Sequence, residues 1–212
     1  MKSPFARFED EYVAIKAPDD SARGFKVKYV YYAPWYCWDL TPEQFTRQKL
    51  RLVLLTCTEL FFFVVAGIIP SVGNTSALTA IPGIFAFACF VLEAVGVGQF
   101  CFSKRETTKS NFTSTNTKIK AFTVIRAFLV AVTGAASAYA SAGAFDSLSI
   151  LAVLFYSLSV FALILLFNCY SKIRHSVRDN NILLELTDDQ ILRGKVTKEA
   201  IEEELQAQEN DE

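Results

Sequence analysis

The chain has 212 residues, of which 52% are hydrophobic, and a net charge of −1. That balance leaves no basic surplus for nucleic acid, and five cysteines without CxxC or zinc-finger spacing argue against a disulfide scaffold and a structural zinc site. Mean hydropathy is only +0.28 because polar ends dilute four long apolar blocks.

The first 35 residues read as a β-hairpin. Tyr12-Val13-Ala14-Ile15 is a β-prone run, and Pro18-Asp19-Asp20 and Gly24 supply turn chemistry. Phe25, Val27, Tyr29 and Tyr31 then recur with period two, separated by Lys26 and Lys28 in the first half. An isolated hairpin is marginal in water, so this one needs support from the C-terminal tail, from lipid headgroups or from another chain. Residues 1–20 hold no apolar core of the kind a cleavable signal carries, and the first span is expected to act as the insertion signal. From Tyr31 to Trp38 the chain reads YYAPWYCW. Beside an apolar block, such Tyr and Trp density predicts a membrane-interface belt, with a soluble aromatic cluster as the other reading. Thr41-Pro42-Glu43 opens a helix, with Thr as N-cap, Pro at the first helical position and Glu in the first turn. That helix is expected to run through Arg51 into the first span.

A bilayer crossing needs about 20 mostly apolar residues. Spans are predicted at 52–69, 77–102, 121–142 and 148–170. The fourth is apolar all round, unlike the amphipathic helix of a soluble domain. The predicted fold class is therefore an all-α integral membrane protein: four transmembrane helices in two hairpins, with a small N-terminal β-hairpin and a helical tail. Residues 1–40, 41–178 and 179–212 form the N-terminal region, the transmembrane domain and an acidic tail.

Basic residues collect on cytoplasmic flanks. Arg47, Lys49 and Arg51 precede the first span, Lys104, Arg105, Lys109, Lys118 and Lys120 separate the second and third, and Lys172, Arg174 and Arg178 follow the fourth. The loops at 71–76 and 143–147 have no basic residue. Both termini and the middle loop are therefore expected in the cytoplasm. Two sequons begin at Asn74 and Asn111, and only Asn74 would face outward, close to the membrane. Cys37, Cys57, Cys89, Cys101 and Cys169 read chiefly as small hydrophobes. The stretch 134–144, GAASAYASAGA, spaces Gly134, Ala138 and Ala142 four apart, a seam that lets a neighbouring helix or a second copy approach closely.

In the tail, Thr187-Asp188-Asp189-Gln190 reads as a capping box for a short helix stopping at Gly194, and Thr197 caps a second helix to about Gln206. His175 is expected in a helical extension beyond the fourth span.

Three ionisable residues interrupt the apolar blocks: Glu59, Glu93 and Arg126. A charge in hydrocarbon costs at least ~2.5–3.5 kcal/mol, so these groups must be paired, neutralised or wet. Counting 1.5 Å of rise per residue from the nearest basic flank puts Glu59 about 12 Å deep, Glu93 about 16 Å and Arg126 about 9 Å, all in one half of the bilayer. Arg126 neutralises one carboxylate. The other is left to carry a proton, to accept a cation, or to stay neutral and hydrogen-bonded, for instance to Gln99. No catalytic fingerprint, cofactor motif or metal-ligand spacing occurs, so no cofactor is expected. The expected function is that of a non-enzymatic assembly or accessory subunit. Its partners would be the bilayer, a second copy or a membrane complex, and a cytoplasmic protein, but not nucleic acid. The alternative is a small proton- or cation-coupled transporter or channel built on Glu59, Glu93 and Arg126.

The one-sided basic residues make the orientation testable. On a cysteine-free background, single cysteines at Ser76 and Ser147 are expected to react with an impermeant thiol reagent on intact cells, and those at Ser110 and Asn210 only after lysis. Labelling at Ser110 from outside would reverse the orientation.

Overall fold

The structure, a computed structural model, describes residues 11–18, 25–143, 146–180 and 191–193. In chain order the elements are β1 (Tyr12–Pro18), β2 (Phe25–Tyr31), β3 (Trp35–Trp38), α1 (Pro42–Ile68), a 3-10 turn (Gly73–Thr75), α2 (Ala77–Phe102), β4 (Glu106–Thr107), α3 (Lys109–Ala140), α4 (Ser147–Ser171), β5 (His175–Arg178) and β6 (Ile191–Arg193). They divide into a sheet unit, Met1–Cys37 with Val177–Glu212, and a helical unit, Trp38–Ser176.

In the sheet unit β1 and β2 form the expected antiparallel hairpin, Tyr12 opposite Tyr31 and Ala14 opposite Tyr29. Its support is the tail: β6 pairs antiparallel with the other edge of β1, giving the order β2-β1-β6. Asn180 Nδ2 adds a bond to the Tyr31 carbonyl at 2.8 Å. The short helix expected to stop at Gly194 is therefore corrected at Ile191–Arg193, which is a strand. β1 offers a row of unpaired backbone groups, and pairing with it satisfies both strands. The rest of that helix and the one from Thr197 lie outside the described residues. Tyr31 is buried, stacks edge-on to Tyr12 with ring centroids 5.3 Å apart, and donates to the Pro34 carbonyl at 2.8 Å. It is a core residue and not part of an interface belt.

The helical unit contains four helices long and apolar enough to cross a membrane, which makes the chain a candidate multi-pass membrane protein. α1 begins as expected, with Pro42 in its first turn, and Thr41 and Gln44 complete a capping box: Gln44 N–H donates to Thr41 Oγ1 at 3.3 Å and Thr41 N–H to Gln44 Oε1 at 3.1 Å. α3 starts at Lys109, so Lys118 and Lys120 lie within a helix and not in a loop. Asp146 caps α4 by accepting the Ser149 N–H at 2.8 Å, and hydrogen bonding to Ser149 holds its carboxyl below the usual aspartate range.

Each helix buries one narrow stripe. In α4 the stripe is Ser149, Ala152, Tyr156, Ser159, Leu163, Leu166 and Tyr170; in α1 it includes Leu52, Thr56, Glu59 and Ala66. Spacings of three and four alternate, as in a left-handed bundle. The helices do not pack as two hairpins throughout. α3 and α4 do pair, but α1 packs along α4, α2 packs along α3, and α1 and α2 make few contacts. Two glycines explain this correction. A Cβ on Gly96 would lie 2.7 Å from Lys118 Cβ and 3.1 Å from Ile119 Cγ1, so its bare backbone lets α2 close on α3. A Cβ on Gly73 would lie 2.2 Å from the Ser137 carbonyl oxygen, so the α1–α2 connection itself seats against α3.

Beside Gly73, Asn74 ties three segments together. Its Nδ2 donates to the carbonyls of Ala66 at 2.7 Å and Ile69 at 2.9 Å, and its Oδ1 accepts from Ser137 at 3.2 Å and Tyr156 at 3.3 Å. The side-chain nitrogen of the Asn74 sequon is thus occupied in donating to the Ala66 and Ile69 carbonyls.

Gly96→Val is expected to overpack the α2–α3 contact and cost about 1–3 kcal/mol in unfolding free energy. Gly98 has open space where a Cβ would point. Gly98→Ala is therefore expected to be neutral or stabilising by up to about 1 kcal/mol. Thermal denaturation in detergent compares the two, and equal losses would show that α2 does not approach α3 through Gly96.

Candidate functional site

The buried stripes converge on a single polar layer to which every helix contributes one side chain. α1 supplies Glu59, α2 Glu93, α3 Arg126 and α4 Ser159, all with no exposed surface. The three charges meet in this layer, and Ser159, which the sequence did not single out, joins them.

Arg126 Nη2 forms an ion pair with Glu59 Oε2, and Nη1 stands 3.5 Å from Glu93 Oε2. Ser159 Oγ donates to Glu59 Oε1 at 2.8 Å. Glu59 therefore receives a guanidinium and a hydroxyl. Glu93 has the longer charge contact and receives no hydroxyl of the kind that Ser159 gives Glu59. The guanidinium also lies over two rings, its Cζ 4.5 Å from the Phe90 centroid and 5.9 Å from that of Phe63. A desolvated cation over an aromatic face gains up to ~2 kcal/mol, partly offsetting lost hydration. Gln99 is not a partner of Glu93, since its Oε1 accepts from Lys118 Nζ at 3.2 Å and Ser114 Oγ at 3.4 Å.

Apolar layers close this layer from both sides. On one side lie Ala66 and Ala86, each seven residues from its glutamate, about 10 Å of helix rise, with Val130 four residues from Arg126; on the other lie Leu52, Phe100 and Ile119, each seven residues away, all buried. Thr133, seven residues from Arg126 on the first side, is also buried and donates to the Leu129 carbonyl of its own helix at 2.8 Å. Beyond the second set sits Trp38, only 4% exposed, with ring centroids 5.2 Å from Phe100, 5.1 Å from Phe112 and 6.2 Å from Tyr170. Trp38 thus belongs to an internal aromatic cluster and not to an interface belt. The Trp38 N–H donates to the Arg105 carbonyl at 2.9 Å, and the Asp39 N–H to that of Arg174 at 3.1 Å. His175 joins the cluster from β5, 4.6 Å from the Phe112 ring, so the expected helical extension is corrected to a strand. Chain reversal after Lys172 brings the imidazole back onto the aromatic rings.

The small-residue seam separates into three environments. Gly134 is buried against α4 of the same chain, where a Cβ would stand 3.0 Å from Tyr156 Cβ. Ala138 is half-buried and lines an open groove of about 290 Å³ with Gly134, Tyr156, Ser157 and Val160. Ala142 is exposed in the turn beyond α3. Among the described residues no group of three His, Cys, Asp or Glu side chains is arranged to hold a metal. Cys57, Cys89, Cys101 and Cys169 form no disulfide.

No protein-family model, curated protein or solved structure matches the chain.

Removing Arg126 strands two acids in an apolar interior. Arg126→Leu is expected to cost about 3–5 kcal/mol, the usual loss when one partner of a buried pair is deleted. Ser159→Ala, which removes one donor from Glu59, is expected to cost about 1–3 kcal/mol. Adding Glu59→Gln to Arg126→Leu should recover much of the larger loss. Denaturation midpoints of the single and double variants measure this, and strict additivity would show that the charges do not act as a unit.

Proposed function

We propose that this protein is a non-catalytic multi-pass membrane protein that works by assembly, with itself or with other membrane proteins. In this reading the four long helices cross the bilayer, the one-sided basic residues hold both termini in the cytoplasm, and recognition takes place on the sheet unit and the acidic tail. Large apolar side chains such as Phe61, Phe85, Phe128 and Phe161 point outward from the helices and suit a lipid surround. The short connections at 71–76 and 143–147 offer little surface for an extracellular ligand.

One observation carries the choice between assembly and transport. Glu59, Glu93 and Arg126, the three charges that interrupt the apolar blocks, are spent on one another in a layer with no exposed surface, and buried apolar side chains lie on both sides of it. A conduction path needs polar groups reachable from each face. The groove between α3 and α4 contains none of the three charges. This arrangement supports a clasp that fixes the bundle and leaves its surfaces for partners. The carrier reading, with the same three residues as an ion path, is the competing outcome of the test.

The whole chain, purified in mild detergent, is expected to give a native mass above that of one chain. Reconstituted into proteoliposomes, it is expected to carry no proton or cation flux. Ala138→Leu, which fills the groove, should shift self-assembled particles toward the single chain. A single-chain particle with a flux abolished by Glu93→Gln would establish the carrier instead.

A further inference from the structure

We infer that Glu93 is a proton-binding site: the four-helix clasp is a net-neutral unit holding one proton, with Glu59 ionised and Glu93 carrying the proton as a carboxylic acid. The inference is independent of whether the protein assembles or transports.

Charge counting gives the number of protons. The layer holds two carboxyl groups and one guanidinium, all with no exposed surface. Arg126 stays cationic in any protein environment. Two ionised carboxylates would leave a net negative charge in an apolar interior, a state that costs far more than taking up a proton. One proton makes the layer neutral.

Hydrogen-bond geometry identifies the residue that holds it. Glu59 has the donors an anion needs: the Arg126 guanidinium on Oε2 and the Ser159 hydroxyl on Oε1 at 2.8 Å. Glu93 has only Nη1 at 3.5 Å, beyond a strong charge-assisted bond, and no hydroxyl donates to it as Ser159 does to Glu59. A neutral acid tolerates that setting far better than a carboxylate. The facing groups are Arg126 from α3, Glu59 from α1 and Ser159 from α4, while on α2 itself the Cys89 thiol lies within electrostatic reach.

The ligand is a proton and not a metal cation. A cation would need several oxygen ligands around it, and here the adjacent groups are a guanidinium and the Phe90 ring. Releasing the proton would set two carboxylates against one guanidinium across the α1–α2 seam, where these helices have few other contacts. That seam is the place where the bundle would respond.

Infrared spectroscopy on the intact protein, in a detergent free of ester groups, reads the proton directly. At neutral pH a protonated-carboxyl C=O band is expected, shifting in heavy water. Glu93→Asp should move this band and Glu59→Asp should leave it in place. Glutamine mimics a neutral acid, so Glu93→Gln should keep the wild-type melting temperature within about 2 °C, while Glu59→Gln should lower it by about 10 °C. Absence of the band in the wild-type protein would overturn the proposal even if no variant folds. So would a band that moves with Glu59→Asp, or a smaller melting loss in Glu59→Gln than in Glu93→Gln.

Discussion

Arg126 has five N–H donors and no exposed surface, so everything that compensates its charge must come from neighbouring side chains. Glu59 on α1, Glu93 on α2 and the rings of Phe63 and Phe90 meet that need, and Ser159 on α4 steadies the anion. Each of these residues is fixed by the stripe it belongs to. An ion pair tolerates little displacement at low dielectric, because attraction falls with distance while the desolvation cost remains. The cluster therefore constrains the rotation and height of all four helices at once. Apolar packing alone would not do this, since one leucine face resembles the next.

The surrounding packing is arranged so that this constraint can be met. α2 must come close to α3 for Glu93 to reach Arg126, and Gly96 permits it by placing backbone against Lys118 and Ile119. α1 cannot be drawn in by α2, which it scarcely touches. It is held through α4 along its length and through Asn74 at the connection, where an amide bonds to the Ala66 and Ile69 carbonyls and accepts from Ser137 and Tyr156. A glycine at the α2–α3 contact and an asparagine at the α1–α2 connection thus do the work that a hydrophobic core does in water, where burial itself drives helices together. In lipid that drive is weak, and close packing with polar cross-links takes its place.

Much of this was legible in the sequence, though unevenly. The four long helices and the N-terminal hairpin followed from apolar run length and period-two alternation. Depth put Glu59, Glu93 and Arg126 in the same half of the bilayer, which allows them to pair but does not require it. Facing was harder. α4 is apolar all round, so hydrophobic periodicity carries no signal, but the polarity rule inverts in an apolar surround. Ser149, Tyr156 and Ser159 on α4, and Thr115, Thr123, Thr133 and Ser137 on α3, are among the buried positions. Reading small polar residues as inward-facing would have put Ser159 inside, but also Ser157, which is exposed and donates to the Val153 carbonyl of its own helix. The β6 strand was not legible, because its pairing with β1 joins residues far apart in sequence and a local capping-box pattern competes with it. Trp38 misled for a similar reason: density of Tyr and Trp beside a span describes both an interface belt and an aromatic core, and only the positions of Phe100, Phe112 and Tyr170 decide between them.

The same layering bears on where activity resides. A bundle whose centre is a closed ionic layer between apolar layers has its polar chemistry committed to structure there, and its outward faces are made of Phe, Leu, Ile and Val. Exposed polar groups lie instead on the sheet unit, where Lys28 and Tyr29 stand out on β2. The backbone pairing of β2, β1 and β6 makes that surface a defined one, because a two-stranded hairpin gains the third strand it needs for stability from its own tail. A partner that competed for the edge of β1 would have to displace β6.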